Sequence, residues 1–145
     1  MGGMTALEFA LIDPRIQRAF LMAMGKAHTA WSIGLSHLQR QAIYQDPHWK
    51  AGGYTAEAAP RQGLSLARQI GMMTYRSPED YEAKFGRDIR EITNHPYYQV
   101  ESYLDYQGQK LYKRFDALSY ERLTRSMDTH DISRDRGSFK EVAKQ

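Results

Sequence analysis

The sequence predicts a predominantly α-helical chain with one short strand, and three features carry that reading. Over residues 99–115 the apolar side chains Val100, Leu104, Leu111 and Phe115 recur at the spacing of one helix face. Helix starts are punctuated twice. Pro60 stands where a helix opens, and Ser77-Pro78-Glu79-Asp80 joins a capping hydroxyl, a proline at the first helical position and acids in the first turn. Finally, one continuous apolar run stands apart, Ala19-Phe20-Leu21-Met22-Ala23-Met24, closed by Gly25. It suits a buried strand, and a short buried helix equally well. As a strand it would be the single convincing one, and a lone strand cannot satisfy its own backbone groups.

The remaining elements come in chain order. Residues 3–12 are good helix formers, stopped by Asp13-Pro14. From Thr29 onward the chain reads as helices. Residues 37–44 form one, closed by Asp46-Pro47, and 48–53 form a loop with Trp49 and the pair Gly52-Gly53. Residues 64–75 are strongly helical. The helix that begins at Pro78 runs to Phe85 and ends at Gly86. Residues 87–96 are expected to be an irregular, exposed loop. After the helix at 99–115, Asp116 caps another over 117–127. Residues 131–136 are charged and irregular, and 138–145 open a last helix.

Composition bounds the function. The chain has 145 residues, 41% hydrophobic and 26% charged, which is the balance of a globular domain. A net charge of +3 is too small to argue for nucleic acid. The absence of cysteine excludes a disulfide framework, a thiolate nucleophile and cysteine-ligated metal. It fits a reducing compartment. No apolar run approaches the roughly 20 residues of a membrane span, and no signal peptide is expected at the start. There is no internal repeat, phosphate loop, dinucleotide fingerprint or intact Gly-x-Ser-x-Gly.

Two constellations are candidates for chemistry. Leu64, Arg68, Gly71 and Tyr75 are spaced four, three and four apart, which places them on one helical stripe. Arg68 offers a planar fork suited to a carboxylate, and Gly71 leaves room beside it. On spacing alone a surface arginine next to a partly buried tyrosine is the simpler reading. Asp128-Thr129-His130-Asp131 sets two carboxylates around an imidazole, as a hard-metal site or an acid/base pair would. A helix end with capping and ion pairs to Arg125 and Arg134 is the simpler reading, and the one expected. His28, His37, His48 and His95 have no zinc-motif spacing and read as loop or interface residues. An aromatic and basic surface for RNA, built on the tyrosines and Arg114, Arg122, Arg125, Arg134 and Arg136, is interrupted by Glu121, Asp128, Asp131 and Asp135.

Three stretches resemble the homoserine O-acetyltransferase family. Met1-Gly2-Gly3-Met4-Thr5-Ala6-Leu7-Glu8 is similar to the stretch just after the nucleophile in that family's Gly-Gly-Ser-Met-Gly-Gly-Met elbow. Gly63-Leu64-Ser65-Leu66-Ala67-Arg68, with Thr74-Tyr75-Arg76-Ser77, is similar to its lid helix. Val100-Glu101-Ser102-Tyr103-Leu104, Tyr106-Gln107-Gly108, Phe115-Asp116-Ala117, Ser119-Tyr120 and Met127-Asp128 with His130-Asp131 are similar to its later lid helices. The likeness runs over essentially all 145 residues in the family's order.

The resemblance implies an α/β-hydrolase fold fragment, a mostly α-helical lid with one core strand. Residues 1–27 would belong to the core (elbow helix and strand), 28–136 to the helical lid and 137–145 to the return to the core. It implies acetyl transfer from acetyl-CoA, as a substrate rather than a resident cofactor, to L-homoserine in methionine biosynthesis. The backbone N–H of Met1 would serve the oxyanion hole. Arg68 would bind the homoserine carboxylate, and Tyr75 would line the same pocket. The family's serine stands immediately before the residue matched by Met1, and its aspartate and histidine lie beyond the lid. None of the triad is therefore expected among these residues, and the isolated chain is expected to be inactive. A cytoplasmic homodimer joined through lid helices is implied, without nucleic acid, membrane or metal. Two alternatives stay open. One is a homoserine O-succinyltransferase or serine O-acetyltransferase of the same fold. The other is a non-enzymatic helical dimerisation module.

Overall fold

The computed structural model describes residues 1–144, so the last residue of the expected final helix lies outside the described residues. The chain divides into two compact units. One comprises Met1–Ser36 and the residues from Arg122 onward, the other His37–Glu121.

The first unit opens with α1 (Gly2–Ile12), whose end at Asp13-Pro14 is as expected. Met4 is its one buried residue. The predicted core strand at 19–24 is not formed. Ala23 adopts φ 50, a left-handed conformation that breaks an extended run. Phe20 and Met22 are 89% and 73% exposed, with no neighbouring strand among the described residues to pair with. The unit's sheet-like pairing lies just beyond, as a single bridge between Ala27 and Asp131 in which Ile132 N–H donates to Lys26 C=O at 3.2 Å. The start of α2 (Ala30–Tyr44), the end of α6 (Ala117–Thr129) and the short α7 (Phe139–Val142) also belong here. Ser138 caps α7, and Glu141 reaches back to the Ser138 N–H at 2.6 Å.

The second unit holds α3 (Arg61–Met72), α4 (Pro78–Phe85), β1 (Ile89–Ile92), β2 (Pro96–Tyr98) and α5 (Gln99–Tyr112), with residues 37–44 of α2 and 117–121 of α6. Its core is Ile43, Leu64, Ala67, Leu111 and Ala117, with Trp49, Tyr54, Tyr112 and Tyr120 packed around it. Gly63, Leu64, Ala67 and Gly71 mark the buried face of α3. Helices α3 and α5 cross closely because Gly108 has no side chain. A Cβ there would stand 2.8 Å from the Ser65 carbonyl oxygen. Ser77 caps α4 as predicted, accepting from Asp80 N–H at 3.2 Å, and Gly86 ends it at φ 47.

Residues 87–96 depart from expectation. They form most of an antiparallel hairpin, with Ile89 opposite Tyr98 and Ile92 opposite Pro96, and an irregularity at Arg90. Strands this short carry almost no pattern of their own, and all four residues of β1 are exposed. The hairpin is fixed by α5. Arg90 donates to Ser102 Oγ at 2.6 Å, and Tyr97 to Asp105 Oδ2 at 2.5 Å.

Candidate functional site

Helix α3 ends at Met72, earlier than the expected residue 75. Its last carbonyls are taken by a turn and by side chains. Thr74 Oγ1 donates to Gly71 C=O at 2.8 Å, and the Tyr81 hydroxyl donates to Met72 C=O at 2.9 Å. Tyr75 therefore sits in the turn after the helix. The turn still returns it to the side of Arg68, whose Nη1 donates to the Tyr75 hydroxyl at 2.8 Å, with the guanidinium 4.9 Å from the ring centroid.

The electrostatics of this pair are open. Arg68 makes no ion pair with a carboxylate among the described residues. The Tyr75 hydroxyl accepts from Arg68, which leaves its own proton to donate outward. Tyr75 is 62% exposed. A charged fork beside a free hydroxyl donor is a two-point seat for a carboxylate.

The expected room at Gly71 is in use. A Cβ there would stand 3.4 Å from Gln39 Oε1 and 3.6 Å from the Tyr120 hydroxyl, and Tyr120 donates to Gln39 across that gap. Burial pushes the Tyr120 phenol up to about 12, helped by Tyr75 and opposed by the Arg68 charge. Phe115 meets its ring edge-on at 6.2 Å. Sequence reasoning did not place Gln39 or Tyr120 here. They come from α2 and α6, and no local spacing links them to α3.

The Asp128–Asp131 stretch is a helix end, as expected. Asp128 Oδ1 meets His28 Nδ1 at 3.0 Å, and Asp131 Oδ1 accepts from Ser133 N–H at 2.9 Å. Arg134 donates to Thr129 C=O. His130 Nδ1 lies 3.5 Å from Glu8, which also pairs with Arg136 at 2.8 Å. His130 Nε2 is buried and has no hydrogen-bond partner among the described residues. No group of three potential metal ligands occurs among them. His48 pairs with Asp46 at 3.2 Å. Met1 stands at the N-cap of α1 and lines an open cleft of about 600 Å³ with Glu8, Phe9, His130 and Arg134.

Comparison with known proteins agrees with the resemblance. The homoserine O-acetyltransferase of Chlorobium chlorochromatii (strain CaD3) is 47% identical over 144 residues, covering 98% of this chain and 40% of the relative. Among solved structures, the homoserine O-acetyltransferase from Bacillus anthracis superposes with a TM-score of 0.80 at 22% identity, over 97% of this chain and 39% of that one. Esterase E22 superposes at 0.69 and 18% identity, over 90% of this chain and 38% of its own. At those identities the structures speak for the fold, a mostly helical portion of an α/β-hydrolase chain. No family model matches the chain. Matched along almost its whole length, the chain is similar to homoserine O-acetyltransferases and spans about two fifths of the length of the relatives it matches.

Proposed function

We propose that the chain is the elbow-helix and lid segment of a homoserine O-acetyltransferase. In that reaction a serine Oγ bonds to the acetyl carbon of acetyl-CoA as the CoA thiol leaves with a proton. The homoserine hydroxyl oxygen then bonds to the same carbon, and the serine regains its proton. Residues 1–27 belong to the core, 28–136 to the lid and 137–145 to the return to the core. Within this scheme Arg68 holds the homoserine carboxylate, the Tyr75 hydroxyl donates to the same group, and the Met1 backbone N–H helps stabilise the oxyanion. The observation that carries the reading is Arg68 itself, a guanidinium paired with a hydroxyl and a ring face rather than an acid. The nucleophile and its partners have no counterpart among these residues. The 145 residues alone therefore transfer no acetyl group.

A chimera tests this. These 145 residues replace the matching segment of the Chlorobium chlorochromatii enzyme, and acetyl transfer is monitored with acetyl-CoA and homoserine. Arg68→Met is expected to raise the KM for homoserine about a hundredfold, the scale of a lost charge-assisted pair, and to leave the KM for acetyl-CoA unchanged. An unchanged homoserine KM would remove Arg68 from the site. Offering the chimera succinyl-CoA and serine decides donor and acceptor. Acetylation of homoserine by the purified 145-residue chain would overturn the claim that it is inactive alone.

The homodimer is part of the same proposal. Leu66, Met73 and Tyr106 on the lid are exposed and supply apolar surface for it. A cytoplasmic location and a place in methionine biosynthesis are proposed with it. No helix among the described residues is long and apolar enough to cross a membrane.

A further inference from the structure

Tyr120 has no part in the carboxylate seat, yet its chemistry complements it. A phenol has one proton to give and lone pairs to receive. The Tyr120 proton is committed to Gln39 Oε1. Its oxygen is left as an acceptor, and no donor among the described residues reaches it. Burial raises its pKa to about 12, so it stays a neutral phenol near pH 7. Its hydroxyl lies beside Gly71, one turn along α3 from Arg68 on the same face. Side chains three apart on a helix stand about 5–6 Å from one another at Cβ. An unpaired cation and an unfilled acceptor therefore lie within the reach of one small molecule. The cation calls for an anion and the acceptor calls for a donor. An α-amino acid carries both on adjacent atoms.

We propose that Tyr120 recognises the ammonium group of an α-amino acid whose carboxylate is held by Arg68 and Tyr75, with Gln39 as the positioning residue that turns the phenol proton away from the ligand. This rests on the carboxylate role of Arg68.

The test is an NMR titration of the 145-residue chain with two probes. L-Homoserine carries carboxylate, ammonium and hydroxyl. 4-Hydroxybutyrate has the same length without the ammonium. The wild-type chain is expected to bind L-homoserine about tenfold more tightly, the scale of one hydrogen bond from a charged donor. Tyr120→Phe is expected to bring the two affinities together while leaving 4-hydroxybutyrate unchanged. Gln39→Leu keeps the hydroxyl but frees its proton, and is expected to lower the preference about threefold. It carries the test if Tyr120→Phe disturbs the amide spectrum. Equal weakening of both probes by Tyr120→Phe, or an unchanged ratio, would overturn the proposal and leave Arg68 in place. If Arg68→Met alters neither affinity, or if neither probe binds the wild-type chain, the carboxylate seat falls and the ammonium contact with it.

Discussion

The helical core of one unit and the apolar run of the other differ in how their side chains are covered. In His37–Glu121, Ile43 and Ala67 are fully buried, Leu64, Leu111 and Ala117 are nearly so, and glycines let the helices close on one another. In the other unit Phe20, Met22 and Trp31 lie open, and the most apolar run of the sequence forms no regular structure. Hydrophobicity alone does not bury a residue. Burial needs a partner surface, and the lid unit supplies its own by setting helical faces against each other. The run at 19–24 has the composition of a core strand but no neighbouring strand among the described residues.

This contrast can be broken from the lid side first. Leu64→Ala leaves a cavity in the core and is expected to cost about 3 kcal/mol, read as a shift in the urea midpoint without a change of slope. Gly63→Ala comes next. Its Cβ would stand 2.7 Å from the Ala42 carbonyl oxygen and 2.9 Å from the Ile43 Cα, both backbone atoms that cannot swing aside. A loss of about 2 kcal/mol by thermal unfolding is expected, and an unchanged midpoint would mean that α2 and α3 separate freely.

Asp46 sharpens the comparison through pH. It is buried and accepts from Gly63 N–H at 2.8 Å and from His48 N–H at 2.9 Å. Burial pushes its carboxyl up, but these N–H groups and the His48 side chain outweigh that and leave the pKa below the ordinary value. A depressed folded-state pKa stabilises the fold above the unfolded value of about 3.9, and that stability fades as pH falls through the folded value. Asp46→Asn is expected to cost about 1 kcal/mol at pH 7 and to flatten acid unfolding below about pH 4. Equal acid sensitivity in the two proteins would remove this role. The smallest effect belongs to the other unit. Phe20→Ser is expected to move stability by no more than about 0.5 kcal/mol, and a larger loss would show that the run is buried in solution.

Much of the lid was legible because its signals are local. Ser77-Pro78 starts α4 and Gly86 ends it, Asp116 caps α6 through Ser119 N–H at 2.7 Å, and Asp13-Pro14 stops α1. The pairing of Arg68 with Tyr75 was also foreseeable, although Tyr75 reaches it from a turn rather than from the helix. The hairpin was not legible, because its short strands depend on contacts from Arg90 to Ser102 and from Tyr97 to Asp105.

By itself, then, the sequence determined where helices start and stop, which face of α3 is apolar, and the family likeness carried by motifs along the chain. These are properties of residues a few positions apart, set by caps, prolines and periodicity. Tertiary structure decided the rest. Gln39 and Tyr120 meet although they are 81 residues apart, because two helices bring them to the gap at Gly71. The apolar run at 19–24 forms no strand and leaves Phe20 and Met22 exposed, because a strand exists only when a second one answers its backbone hydrogen bonds.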